Sequence, residues 1–213
     1  MYKITFQLRT AVSFIERPTF DGMLAWCYMK DKYGIVEQKL NIENVESFDD
    51  MPLVRHPEGY FLASWMQFDE DLAVEFTQTW KKRWANQHDH LADFGKKVKK
   101  VRINAGDYKS YDMPIVLQNV KEVWFYFASE NVDRVRSLLT NHLWGIGKKT
   151  AQGYGEIESF EIEEIEVNPF LTSILRPTPV NSSDLKNLTN LSVKMMGFRP
   201  PYWLPENQAF CLV

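Results

Sequence analysis

Cysteine is scarce in this chain: two in 213 residues, Cys27 and Cys211, 184 positions apart. That excludes a disulfide scaffold and a four-cysteine zinc site. Long apolar runs are absent. Val123 to Ala128, one of the longest, falls far short of the ~20 residues a membrane helix needs. No internal repeat is visible. Charge of one sign does not dominate either: the formal charge is −3 and the pI about 5.9. A uniformly basic nucleic-acid coat is thereby excluded, a locally basic surface is not. The start, Met1-Tyr2-Lys3-Ile4, has no basic segment leading into an apolar one, so no signal peptide is expected. With 45% hydrophobic and 25% charged residues the chain reads as one globular, soluble, cytoplasmic domain. In that compartment the Asn-x-Ser/Thr triplets at Asn181, Asn187 and Asn190 are chance.

What charge there is clusters. Lys81 to Lys109 holds nine basic residues (Lys81, Lys82, Arg83, Lys96, Lys97, Lys99, Lys100, Arg102, Lys109) against three acids, while Glu156 to Glu166 holds six acids and no base. The molecule is dipolar behind its modest net charge.

Periodicity supplies the frame. Tyr2, Ile4, Phe6 and Leu8 alternate with Lys3, Thr5, Gln7 and Arg9, which predicts a strand with one buried face. Phe20, Met23, Leu24, Cys27 and Tyr28 make one stripe of a helix over Thr19 to Tyr33, stopped by Gly34. Tyr60 to Phe68 is expected as a strand, Ala73 to Asn86 as a helix, and Lys96 to Asn104 as one arm of a basic hairpin. Val123 to Phe127 is apolar on both faces, as for a central strand. Asn131 caps a helix whose stripe is Val132, Val135, Leu138 and Leu139, with His142 on the same side. A strand over Glu156 to Val167 slips phase twice, which predicts bulges. The tail holds six of the ten prolines (Pro169, Pro177, Pro179, Pro200, Pro201, Pro205) and is expected to wrap the core in extended form. This order fits an α+β fold, a ferredoxin-like β-α-β-β-α-β domain over 1–213, with a basic insertion at 69–110 and a wrapping tail at 168–213.

Between the second helix and the last strand lies Trp144-Gly145-Ile146-Gly147-Lys148-Lys149-Thr150-Ala151-Gln152-Gly153-Tyr154-Gly155. Four glycines in eleven residues are costly to order, so positive φ or close backbone approach is expected. Backbone amides beside two lysines make a phosphate cradle. It is not a P-loop: His142 stands where the first glycine belongs and Lys149 where Ser or Thr must follow the lysine. It is not a dinucleotide fingerprint either, since Thr150 replaces a glycine and the order is helix, loop, strand. A tight connection with solvated lysines is the plain alternative.

The phrase from Ile146 to Gly155 resembles the glycine-rich loop of the RAMP superfamily, ferredoxin-like RNA-binding proteins of CRISPR systems. Pro18-Thr19-Phe20-Asp21-Gly22-Met23-Leu24-Ala25-Trp26 resembles the first-helix signature of the small backbone subunit of type IV CRISPR effector complexes, the Csf family. So do Tyr108-Lys109-Ser110-Tyr111-Asp112-Met113-Pro114, Leu175-Arg176-Pro177-Thr178-Pro179 and Arg199-Pro200-Pro201-Tyr202-Trp203. The resemblance implies a subunit at one end of the ribonucleoprotein. Such a subunit holds the 5′ repeat-derived handle of the guide RNA beside backbone and large-subunit-like proteins, and the complex targets plasmids and other mobile DNA. Guide processing in many such systems belongs to another protein.

The residues offer what handle binding needs. Gly145, Gly147, Lys148, Lys149, Thr150, Gln152, Gly153 and Lys109 supply amides and cations. Trp144, Tyr154, Tyr108, Tyr111, Trp80 and Trp84 offer flat partners, worth about 1–3 kcal/mol per stacked base. Helical core packing explains Trp80 and Trp84 at least as well. Lys81, Lys82, Arg83, Lys96, Lys97, Lys99, Lys100 and Arg102 would form a thumb against RNA or target DNA. Against catalysis, His142 falls on an apolar stripe, and His88-Asp89-His90 lacks a third ligand at defined spacing. Asp21 and Asp112 are assigned turn or capping work, Cys27 to the core, and Cys211 to an ordinary tail thiol. The expectation is a non-catalytic guide-RNA-binding subunit without metal or cofactor. A metal-independent endoribonuclease and a DNA-contacting module remain the alternatives.

Overall fold

A computed structural model describes residues 1–34, 48–91, 103–104, 109–182 and 192–213. The fold is mixed α+β, with mostly antiparallel sheets and two helices. Alternation puts β1 (Tyr2–Leu8) at the centre of the main sheet. It pairs antiparallel with β4 (Glu122–Phe127) on one side and β5 (Ile157–Glu164) on the other. Ile4 stands between Phe125 and Ile162, and Phe6 between Val123 and Phe160. On the far side of β4 runs the segment 62–67. It is bonded through Gln67 N to Trp124 O at 2.8 Å and Ala128 N to Leu62 O at 2.8 Å. Its bridges, Ala63 with Phe127 and Gln67 with Trp124, enclose one extra residue, so the expected strand is a bulged ladder. In β5 the register shifts once, opposite Gln7 and Leu8, where two slips were expected.

Helix α1 (Phe20–Tyr33) begins where the Thr19 hydroxyl accepts from Gly22 N and ends on Gly34 at φ 75°. Helix α2 (Val132–His142) is capped by the Asn131 carboxamide, which accepts from Arg134 N at 3.0 Å. The helices share one core with the sheet: Phe20 and Leu24 from α1, Val135, Leu138 and Leu139 from α2, against Ile4, Phe6 and Phe125. The Phe20 ring stacks on Phe127 at 4.7 Å. Each such fully buried phenylalanine contributes about 1.5–3 kcal/mol. Among the described residues no helix is long and apolar enough to cross a membrane.

Residues 74–82 correct the sequence reading. They form not a helix but β2 (Val74–Lys82), paired along its whole length with β3 (Tyr111–Asn119). Val74, Phe76 and Trp80 alternate with Glu75, Thr77 and Thr79, and Thr, Phe and Trp favour a pleated surface. The partner strand decides: Ile115 and Leu117 of β3 are buried, so the ribbon has an apolar anchor that a lone helix would lack. Most of the expected Lys96–Asn104 arm, with Lys96, Lys97, Lys99, Lys100 and Arg102, and also Tyr108, lies outside the described residues.

The tail pairs with itself as a second three-stranded sheet, ordered β6 (Thr178–Pro179), β8 (Gln208–Leu212), β7 (Val193–Gly197). A buried polar knot fastens it to the body. The Tyr202 hydroxyl donates to Asp21 Oδ1 at 2.6 Å and accepts from the Thr19 hydroxyl at 2.8 Å. Arg176 Nη1 reaches Asp21 Oδ2 at 3.5 Å and the Ala63 carbonyl at 3.2 Å, and also bonds the Phe61 carbonyl. Its Nη2 bonds the Phe198 carbonyl. Asp21 and Arg176 are buried; Asp21 also accepts from Gly22 N in the first turn of α1 at 3.0 Å, so it is both a charge partner and a capping acceptor. Burial first, then the neighbouring Asp21 carboxylate, raises the Tyr202 phenol well above its ordinary pKa, which keeps it a donor.

Both thiols are buried, Cys27 in the main core and Cys211 on β8 of the tail sheet. Burial pushes Cys27 up to about 12 and also raises Cys211. Since the thiolate is the reactive form, a thiol reagent at pH 8 is expected to find neither cysteine in the native protein and both after unfolding. Ellman titration checks this; rapid labelling of one native thiol would contradict the burial.

Candidate functional site

The glycine loop leaves α2 at Trp144 and re-enters the sheet at β5. It closes on itself as a short ladder, with Ile146 N to Gly155 O at 2.9 Å and Ile157 N to Trp144 O at 3.0 Å. It is then stitched to the chain that follows β1. Lys148 N donates to Ser13 O at 2.6 Å and Gly155 N to Ala11 O at 2.8 Å. The Thr10 hydroxyl donates to Gly153 O at 2.7 Å. Ile146 is fully buried beneath. The loop is therefore rigid, held by the strand it neighbours.

Its glycines do two different jobs. Gly155 lies at φ 63°, and a Cβ there would collide with the Ile146 carbonyl, so it closes the loop. Gly153 lies at φ 86° with nothing within 4 Å of a Cβ position. It presents bare backbone to open space, as a close-approaching ligand requires. Ahead of both, Lys149 adopts the left-handed conformation, φ 62° and ψ 29°, uncommon for a side-chain-bearing residue. The amides of Lys149, Thr150 and Ala151 find no backbone acceptor among the described residues.

The loop meets the ribbon. Lys149 Nζ sits 4.3 Å from the Trp80 ring centroid, and the Tyr154 hydroxyl donates to Gln78 Oε1 at 2.8 Å. Trp80 is thus an aromatic partner of the loop on a strand, not one half of a helical Trp80–Trp84 pair. Lys148 and Gln152 are exposed, and among the described residues no carboxylate lies in ion-pair range of Lys148 or Lys149. On the ribbon, Lys81 occupies the opposite parity to Gln78 and Trp80. Lys81, Lys82 and Lys109 are exposed. Arg83 is bound to Asp112 at 2.9 Å. Its hydrogen bond holds the Asp112 carboxyl below the usual range, so Asp112 is an ion-pair partner, not a turn former. Tyr111 pairs with Lys82 across the ribbon.

Trp144 is 57% exposed, and Trp26 of α1, 43% exposed, stands edge-on to it at 5.8 Å. Lys30 Nζ lies between them, 3.9 Å from the Trp26 centroid and 4.3 Å from that of Trp144. The sequence reading missed Trp26 and Lys30 as neighbours of the loop. Their i, i+4 spacing beside the apolar stripe was the available signal.

Away from the loop, His142 Nε2 lies 3.1 Å from Asp31 Oδ1, and Arg134 Nη2 lies 2.6 Å from Asp31 Oδ2. These bonds, Arg134 first, hold the Asp31 carboxyl below the usual range. His142 is thus a strut between α2 and α1. His88 and His90 sit on a short 3-10 turn, Asn86–Leu91. No group of three or more His, Cys, Asp or Glu suited to a metal occurs among the described residues.

No curated protein matches the chain. The loop, ribbon and knot nonetheless bring the quoted motifs together in one body, and a family model covers that body from end to end. Matched over residues 1–213, the chain belongs to the Csf3 family, described as CRISPR type IV associated protein Csf3, and is a subunit of a type IV CRISPR complex.

Proposed function

We propose that the chain is the non-catalytic RNA-binding subunit of a type IV CRISPR ribonucleoprotein, holding the 5′ handle of the guide RNA and capping the backbone of the complex. That assembly would act in the cytoplasm against plasmids and other mobile DNA. Strand order supports a ferredoxin-like RAMP domain: 62–67, β4, β1, β5, with β1 antiparallel between the two strands that α2 connects. One observation carries the RNA reading. A rigid loop places an exposed Lys148, a left-handed Lys149 and the open backbone of Gly153 beside Trp80 of a basic ribbon. Phosphates take cations and free amides; unpaired bases take aromatic faces.

Holding rather than cutting is supported by the engagement of His142, the histidine nearest the loop, with Asp31 of α1. The test incubates the full-length chain with repeat-derived RNA in EDTA. The RNA is expected to be bound and recovered intact; site-specific cleavage that disappears in His142→Ala would establish the endoribonuclease instead. The ribbon favours a second contact. Eight of the nine β2 residues are exposed, and a two-stranded ribbon fits the major groove of a duplex. Crosslinking of Lys81 or Lys82 to target DNA in the assembled complex would assign the ribbon to DNA, and crosslinking to guide RNA would assign it to the handle.

A further inference from the structure

The loop also borders a groove of about 470 Å³ on its side towards α1. That volume lies within the ~300–1,000 Å³ of small-molecule sites. Met23 and Leu143, both packed on the core, line it. Trp26 and Trp144 line it with aromatic surface, and Lys148 and Glu16, both exposed, also border it. We infer that this groove takes one unpaired nucleotide of RNA, with its base against Trp144, its phosphate at Lys148 and its Watson–Crick edge read by Glu16, so that guanine is preferred. The inference rests on the reading of the loop as an RNA grip and adds a base site to it.

Three observations carry it. First, two large indoles stay 57% and 43% exposed beside lysines, an arrangement that leaves apolar area in water unless a planar partner covers it. Lys30 stands over one face of Trp144, and the remaining exposure leaves the other face to a base. Stacking there covers the remaining indole face. Second, the hydroxyls of Thr19 and Tyr202, which also line the groove, are spent on each other and on Asp21. Glu16 makes no hydrogen bond or ion pair among the described residues and is the one carboxylate lining the groove. Third, an ionised carboxylate only accepts. Guanine presents N1–H and N2–H side by side and can give two parallel bonds. Adenine and cytosine offer one amino group on that edge, and uracil one imide N–H. The same negative charge repels phosphate, which places the sugar–phosphate chain on the Lys148 side.

The test compares two labelled RNAs, twelve uridines and the same strand with one central guanine, by fluorescence anisotropy on the full-length chain. The guanine strand is expected to bind about tenfold tighter, within the 1–3 kcal/mol of a good bidentate base contact. Glu16→Gln, a surface change that spares the fold, is expected to reduce that ratio below about twofold. Trp144→Ala is expected to weaken both strands. Equal affinities for the two strands, with both still weakened by Lys148→Ala, would overturn the guanine site while leaving the loop as an RNA grip. Indifference of both strands to Lys148→Ala would remove the grip and the base site together.

Discussion

Arg176→Ala is expected to lower the free energy of unfolding by about 3–5 kcal/mol, the usual cost of removing one member of a buried ion pair. That is a large part of the ~5–15 kcal/mol that holds a typical domain together. The guanidinium is buried and reaches the Asp21 carboxylate and three carbonyls, those of Phe61, Ala63 and Phe198. It also stacks on Tyr60 at 4.6 Å. Its loss strands Asp21, fully buried, with only Tyr202 as a side-chain donor. Arg176→Lys is expected to cost nearly as much, because an ammonium cannot span acceptors on two chain segments as a planar fork does. Asp21→Asn combined with Arg176→Met leaves no buried charge and is expected to recover part of the loss. Urea unfolding followed by circular dichroism decides. A single variant within about 1 kcal/mol of the parent would mean that the knot does not fasten the tail.

The second large effect concerns the loop. Lys148→Ala with Lys149→Ala is expected to weaken handle-RNA binding about tenfold for each phosphate that the loop no longer grips. It should also flatten the plot of log affinity against log salt by about one unit for each such phosphate. The two lysines are not equal. The Lys149 ammonium already lies against Trp80, whereas Lys148 is exposed and unpaired among the described residues, so Lys148→Ala alone should carry most of the change in slope. Gly153→Val tests the backbone with both lysines present. At φ 86° a β-branched residue is strained by about 1–3 kcal/mol, and its side chain would fill the open space over the loop. Binding is expected to fall while the salt slope changes little. Unchanged affinity and slope in the double lysine variant would leave the loop a structural connection only.

How much of this was legible in the sequence depends on whether the deciding partner was local. Strand β1, both helices, the Asn131 cap and the Gly34 stop were legible, since period-2 alternation in Tyr2–Leu8 and the stripes beginning at Phe20 and Val132 are properties of single segments. Residues 74–82 misled because an apolar residue at every second or fourth position suits either state, and the choice lay with β3, some thirty residues on. The pairing within the tail was not legible for a related reason. Its prolines speak for extended backbone, but whether extended segments pair depends on which others come alongside. The motifs that hold Asp21, Arg176 and Tyr202 read as family signatures, yet these three residues form one buried structural unit, and nothing local in each motif announces its partner.

At the site the same division holds. The glycine–lysine phrase was legible because four glycines in a row of eleven residues are costly unless geometry demands them. Trp80 beside Lys149, Tyr154 bonded to Gln78, and Trp26 beside Trp144 were not. The first strand, both helices and the position of the glycine loop come from the chain itself, because backbone conformation and amphipathic period act between near neighbours. Which face of the ribbon meets the loop, which charges are already neutralised and where a groove opens beside the loop were decided by packing alone. Those depend on residues as far as 181 positions apart arriving at one place, and the solvation of a charge is a property of that place rather than of the residue.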